Sequence, residues 1–140
     1  MGSNELLDLS SAIVDAWSVP GGPPAGAIEG PTNRVTNELT EIDDGLSFIE
    51  SFSNVVTFRT DEGLVLFDAS SVFTGQGCVS SLRGWADDPI HSLVYTHGHV
   101  DHVGGSGHFV RDGEARGHDA PRVVGHEAVT ARFDQEGAQS

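Results

Sequence analysis

Within six residues, His97, His99, Asp101 and His102 place three imidazoles and one carboxylate, all groups able to bind a metal ion. Neutral imidazole nitrogens suit zinc, and the carboxylate adds a harder oxygen donor. Four ligands this close in sequence crowd a single ion. They divide more naturally into two pairs, His97 with His99 and Asp101 with His102, each needing partners from elsewhere in the chain. The apolar, β-prone run Leu93-Val94-Tyr95-Thr96 precedes them and Gly104-Gly105 follows shortly after. A strand ending at Thr96 would deliver these side chains into a loop at a sheet edge, where chemistry is commonly grafted. The bland alternative is a solvated histidine-rich loop.

The order His-x-His-x-Asp-His after a strand, with Gly-Gly behind it, resembles the metallo-β-lactamase superfamily of metal-dependent hydrolases. That resemblance implies two zinc ions, one on His97 and His99 and the other on Asp101 and His102. It implies a metal-bound hydroxide as the nucleophile, with Asp101 as both ligand and catalytic residue. It also implies a role for Asp68, which falls where an earlier strand ends. There it would support the metal loop from behind by accepting a hydrogen bond. A strand-terminating or helix-capping aspartate is the alternative at Asp68, and both roles can hold together.

The fold implied is α/β (α+β), the first αβ half of an αββα sandwich, occupying residues 33–133. The remaining family ligands are a third histidine, a bridging acid and a final histidine, and all belong to the second half. The chain is therefore expected to be truncated, each metal short of protein ligands, and the isolated chain inactive. The inner sheet face of such a half is expected to be open, inviting a homo-oligomer or a complementing chain. The implied substrates are small molecules of ester, lactam or sulfate type. Tyr95-Thr96-His97 is most similar to the alkyl-sulfatase-related branch. A non-catalytic or degenerate metal-binding or assembly module is the competing reading, because the later ligands are missing.

Bulk properties narrow the field. A chain of 140 residues has room for one good core and not for two. Seven Arg and no Lys stand against 21 Asp and Glu, for a net charge of −14, which disfavours nucleic acid and anionic membranes as partners. Cys78 is the single cysteine, so no intrachain disulfide can form. It reads as core filler, with no nearby base to make it a nucleophile. No basic residue precedes Arg34, no apolar run approaches a membrane span, and the expected location is cytoplasmic.

The elements that must position the ligands follow from periodicity. Leu6, Leu9, Ile13 and Trp17 recur at helical spacing, with Ser3 or Asn4 as the expected cap, and the stripe should dock on the main domain or a second chain. A Pro/Gly-rich linker runs from Val19 to Gly26, and the boundary of the main domain falls near Asn33. Strands are expected at 39–42, 46–52, 55–60 and 63–67, with a hairpin about Asp61-Glu62-Gly63 and the last strand covered on both faces. A helix over 76–86 and a strand over 91–96 give a crossover between parallel strands. Beyond the motif we expect a short helix over 103–110, a surface loop over 111–121, a strand at 122–124, a helix over 127–133 and a frayed tail over 134–140.

Four histidines lie outside the motif. His91 should point outward from its strand, His118 should be solvated in its loop, and His108 has no evident partner. His126 ends the Val123-Val124-Gly125 run and reads as a pocket-wall or capping residue, being too near the motif in sequence to match the family's third histidine.

Overall fold

The computed structural model describes residues 2–22 and 34–137. Helix α1 (Ser3–Trp17) precedes a meander of four antiparallel strands, β1 (Glu38–Asp43), β2 (Leu46–Glu50), β3 (Val55–Thr60) and β4 (Gly63–Phe67). Helix α2 (Gly75–Trp85) then crosses over to β5 (Ile90–Val94), which pairs with β4 in parallel. Two helices follow, α3 (Val100–Val103) and α4 (Ser106–Ala115), then edge strand β6 (Arg122–Val124) parallel to β5, and finally α5 (Ala128–Gly137). The described residues thus form a mixed α+β fold: one six-stranded sheet in sequential order and five helices. No helix among them is long and apolar enough to cross a membrane.

The core lies on one face of the sheet. Ile49, Val55, Leu64, Leu66 and Leu93 point from the strands to Cys78, Val79 and Leu82 of α2 and Phe109 of α4, all buried. Burying each large aliphatic side chain contributes about 1.5–3 kcal/mol. Cys78 sits fully inside this cluster, and burial pushes its thiol pKa up despite hydrogen bonds from Ser51 and Ser70, as expected for core filler. Arg83 of α2 holds Asp112 of α4 at 2.7 Å, which fixes the two helices against each other.

The opposite face is apolar and only half covered. Strand register aligns Phe48, Val56, Phe67 and Val94 in one row and Leu46, Phe58 and Val65 in the next. Helix α1 lies over one corner of it, where Leu6, Leu9 and Ile13 meet Phe48 around a cavity of about 130 Å³. Phe58 remains 42% exposed. Among the described residues this inner face is thus only partly covered, with α1 shielding one corner. The expectation that both faces of β4 are covered is corrected accordingly: Leu64 and Leu66 are buried, whereas Val65 and Phe67 are only half buried.

Other expectations shift at their ends. The cap of α1 is Gly2, whose N–H donates to the Glu5 carboxylate at 2.8 Å, so Ser3 and Asn4 lie inside the helix. Trp17 is 58% exposed and leaves the packed stripe to Ala16. Helix α4 runs through Ala115, replacing the first part of the expected loop, because Asp112 is tied to both Arg83 and Arg116. Helix α5 likewise continues to Gly137 where a tail was expected. The boundary near Asn33, most of the Pro/Gly-rich linker and residues 138–140 lie outside the described residues.

Candidate metal centre

Strands β4 and β5 are parallel and end side by side, so the loops leaving them meet at one edge of the sheet. From β4 comes Asp68, 6% exposed and in the left-handed region at φ 62°. From β5 come Thr96 and the ligand loop. The Asp68 carboxylate joins them: its Oδ1 accepts the Thr96 N–H at 2.8 Å, and its Oδ2 accepts the Thr96 hydroxyl at 2.7 Å and His102 Nδ1 at 2.7 Å. The backbone closes the same clamp, since the Ala69 N–H donates to the His102 carbonyl at 2.7 Å.

These bonds assign protons. A carboxylate only accepts, so in the neutral ring His102 carries its hydrogen on Nδ1 and presents a lone pair at Nε2. The Thr96 hydroxyl gives its one hydrogen to Asp68, so at 2.9 Å it must accept from Nδ1 of His97. His97 therefore also presents a lone pair at Nε2. A single buried carboxylate thus sets two imidazoles in the same tautomer.

Asp101 is held from the other side. Ser53, buried in the loop after β2, donates its hydroxyl to Asp101 Oδ2 at 2.8 Å. That hydrogen bond, with smaller help from the charges of His102 and His99, holds the Asp101 carboxyl below the usual carboxylate range. Neither Ser53 nor Thr96 was singled out by sequence. Ser53 carries no local signal, whereas Thr96 could have been found as a hydroxyl next to the first histidine.

The four ligand candidates come together as follows. The His97 and His102 ring centroids are 4.0 Å apart, those of His97 and His99 are 4.7 Å apart, and His102 Nε2 is 3.5 Å from Asp101 Oδ2. In the neutral ring Nε2 and Oδ2 are two acceptors facing each other with no proton to share, an arrangement that suits a cation. Among the described residues, however, no three His, Cys, Asp or Glu side chains converge closely enough to hold an ion. The donor types suit a metal such as zinc in their chemistry.

The glycines after the motif are required by a close approach of backbone. A Cβ at Gly105 would lie 1.9 Å from the Ala69 carbonyl oxygen, and one at Gly104 would lie 3.2 Å from the Val72 nitrogen. They admit the segment leaving β4, and so permit the Asp68 clamp.

The remaining histidines are placed individually. His126 shares with His97, Val129 and Arg132 a pocket of about 510 Å³, and its Nδ1 accepts the Ala128 N–H at 3.1 Å near the start of α5, so it both lines a wall and caps a helix. His91 is exposed and bonds Ser92 at 2.8 Å. His108 has a partner after all, donating from Nε2 to the Val72 carbonyl at 2.8 Å. His118 is half buried, with Nδ1 enclosed and unpaired, which corrects its reading as a solvated residue.

With this geometry in view, the likenesses to known proteins are informative. The sequence model of the Metallo-beta-lactamase superfamily matches residues 49–129, more than half of the chain. No curated protein matches. Among solved structures, a metallo-beta-lactamase from Cronobacter sakazakii with a HARLDQ motif aligns at 18% identity and a TM-score of 0.53, over 69% of this chain and 36% of that one. A mutant of a Cronobacter sakazakii metallo-beta-lactamase aligns at 22% identity and 0.51, over 65% of this chain and 35% of that one. A stereoselective inverting sec-alkylsulfatase from Pseudomonas sp. aligns at 25% identity and 0.49, over 64% of this chain and 14% of that one. The chain therefore spans about a third or less of the length of these structures.

Proposed function

The chain belongs to the metallo-beta-lactamase superfamily, and from that premise we propose that it is a metal-dependent hydrolase of small molecules, or the part of one that carries the first ligand loop. The proposed substrates are esters, lactams or sulfate-type esters. Members of the family usually bind metal ions, commonly zinc. The observation that carries the reading is the clamp at the sheet edge, where Asp68 sets His97 and His102 in one tautomer beside Asp101.

His97 and His99 would hold one ion, and Asp101 and His102 a second. When bound, a metal supplies Lewis acidity and makes water acidic enough to act as a nucleophile near neutral pH. Everything else is done by the chain itself. Asp68 removes rotational freedom from the His102 ring and keeps its Nε2 lone pair available. Thr96 relays the same constraint to His97. Ser53 steadies Asp101 through Oδ2. Because Asp68 and Thr96 take their positions from two adjacent strand ends, His97 and His102 are oriented before any ligand arrives.

A second reading is a metal-binding or assembly module without catalysis. It is favoured by the lack of any three converging donors among the described residues. Zinc content after reconstitution and dialysis, measured together with hydrolysis of p-nitrophenyl acetate, separates the two. About two zinc ions per chain with zinc-dependent turnover is the result expected of a hydrolase whose catalytic centre is complete in this chain. Substoichiometric zinc without turnover favours the module.

A further inference from the structure

The two loops that hold the candidate centre are tied to each other behind it. Ser51 precedes Ser53, the partner of Asp101, by two positions, and Ser70 follows Asp68 by two. Both Ser51 and Ser70 are buried, and the Ser70 hydroxyl donates to that of Ser51 at 3.0 Å. We propose that Ser51, Ser70 and Thr74 are positioning residues, whose chain of hydroxyl hydrogen bonds fixes Asp68 relative to Ser53 and so sets His102 against Asp101. The proposal rests on the metal-binding reading above and adds to it a brace one step behind the ligands' own partners.

Chemistry fixes the direction of the chain, because each hydroxyl has one hydrogen to give. Asn37 Oδ1 only accepts, so Ser51 gives its hydrogen there, at 2.7 Å. Ser51 then accepts from Ser70, and Ser70 in turn accepts from the Thr74 hydroxyl at 2.7 Å. Thr74 accepts from the Ser71 hydroxyl at 2.8 Å. With Cys78 a neutral thiol, both serines are free to point along this chain rather than at its sulfur. Hydrogen bonds in such a series polarise and strengthen one another.

The segment after β4 needs such support. Asp68 and Ser70 both lie in the left-handed region, at φ 62° and 59°. A serine stays there only when its surroundings over-determine it. At Ser70 the hydroxyl is held by Ser51 and Thr74, and the carbonyl accepts the Gly105 N–H at 3.0 Å. Gly105 lies three residues beyond His102. One buried residue thus joins the loop after β2, the start of α2 and the far end of the ligand loop. By contrast, the hydroxyls of Ser47 and Thr57, buried within the sheet, have no hydrogen-bond partner among the described residues. The fold therefore does not demand that every buried hydroxyl be linked, and the linked ones stand behind the centre. Asp68 on His102 and Ser53 on Asp101 share this support, which sets the 3.5 Å between His102 Nε2 and Asp101 Oδ2.

The test compares Thr74→Val, which keeps the side chain's shape and loses its hydroxyl, with Thr74→Ser, which keeps the hydroxyl. Ser70→Ala breaks the chain independently, and Val79→Ala in the core controls for lost stability alone. Thr74 is only half buried, so the comparison stands on its two variants should Ser70→Ala fail to fold. In the full chain free of metal, proton–nitrogen NMR of the neutral imidazoles reports which nitrogen of His97 and His102 carries the hydrogen. A single tautomer is expected in the wild type, Thr74→Ser and Val79→Ala, and a mixture in Thr74→Val and Ser70→Ala. With cobalt(II) as the probe, affinity by chelator competition should fall about tenfold in the same two variants and stay within about twofold in the others. The visible cobalt band should weaken in those two alone. Ring spectra of Thr74→Val that match the wild type, a mixture already present in the wild type, or a change in Val79→Ala equal to that in Thr74→Val would each overturn the proposal. Altered tautomers in Thr74→Val with no cobalt bound by any chain would sink the metal-binding reading and leave the brace. Cobalt bound alike by every chain, with ring spectra unchanged, would sink the brace alone.

Discussion

Nδ1 of His102 lies 2.7 Å from Oδ2 of Asp68, across 34 positions of sequence, and the backbone of Ala69 bonds the His102 carbonyl at the same distance. Side chain and main chain thus hold the ligand loop to the end of β4 at two points. The Asp68→Asn variant keeps the left-handed backbone, which asparagine tolerates, but cannot accept from Thr96 and His102 as a carboxylate does. Zinc affinity should fall about 10- to 100-fold, read by competition with a chromogenic chelator. Affinity equal to the wild type would mean that Asp68 does not orient the ligands.

His99→Ala removes a donor from the candidate centre without touching the Asp68 clamp. Zinc retained after dialysis should drop to background, and the zinc-dependent rise in melting temperature should vanish, since only a ligand bound to the folded state stabilises it. Chelator should return the wild type to the same melting temperature as the variant. A variant that keeps its zinc would contradict the assignment of His99.

Gly105→Ala forces a Cβ to within 1.9 Å of the Ala69 carbonyl oxygen, a backbone atom that cannot swing away. The expected loss is on the order of 3 kcal/mol, at the upper end for overpacked sites, measured by urea denaturation. Gly84→Ala is the matched control, because a Cβ there meets nothing within 4 Å on helix α2. It should be neutral or stabilise by up to about 1 kcal/mol. Equal effects at the two sites would refute the close approach.

Burial pushes the Asp112 carboxyl up, but hydrogen bonds and charge from Arg83 and Arg116 outweigh it and hold the group below the ordinary range. A folded-state pKa below the unfolded value gives stability that is complete above the unfolded pKa, near 4, and that fades as pH falls through the folded value. Asp112→Asn should therefore cost about 2 kcal/mol at pH 7. The gap to the wild type should narrow steadily below about pH 4. Parallel stability curves down to pH 2 would show that the pair does not couple α2 to α4.

Much of the scaffold was legible because its signals are local. Alternating and β-branched runs placed β3, β4 and β6 to the residue, and the Asp61-Glu62-Gly63 turn placed the hairpin. The parallel crossover followed from strand, helix, strand order. The ends of α4 and α5 were misjudged, since polar residues such as Asp112 and Arg116 read as loop until Arg83 is seen opposite them.

Sequence by itself determined which side chains could bind a metal, because four donors within six positions is a property of residue type and spacing. It also determined family membership through the 49–129 match. The family resemblance also implied that Asp68 supports the loop, but only tertiary structure decided which groups it and its neighbours hold. Asp68, Ser53 and Thr96 act on the loop through hydrogen bonds that exist only once β4 and β5 lie parallel and the loop after β2 folds under Asp101. The hydroxyl chain behind them has the same origin, since Asn37, Ser51 and Ser70 come from three separate segments. A hydrogen bond has a range of about 3 Å, and no spacing along the chain predicts which distant residues will come within it.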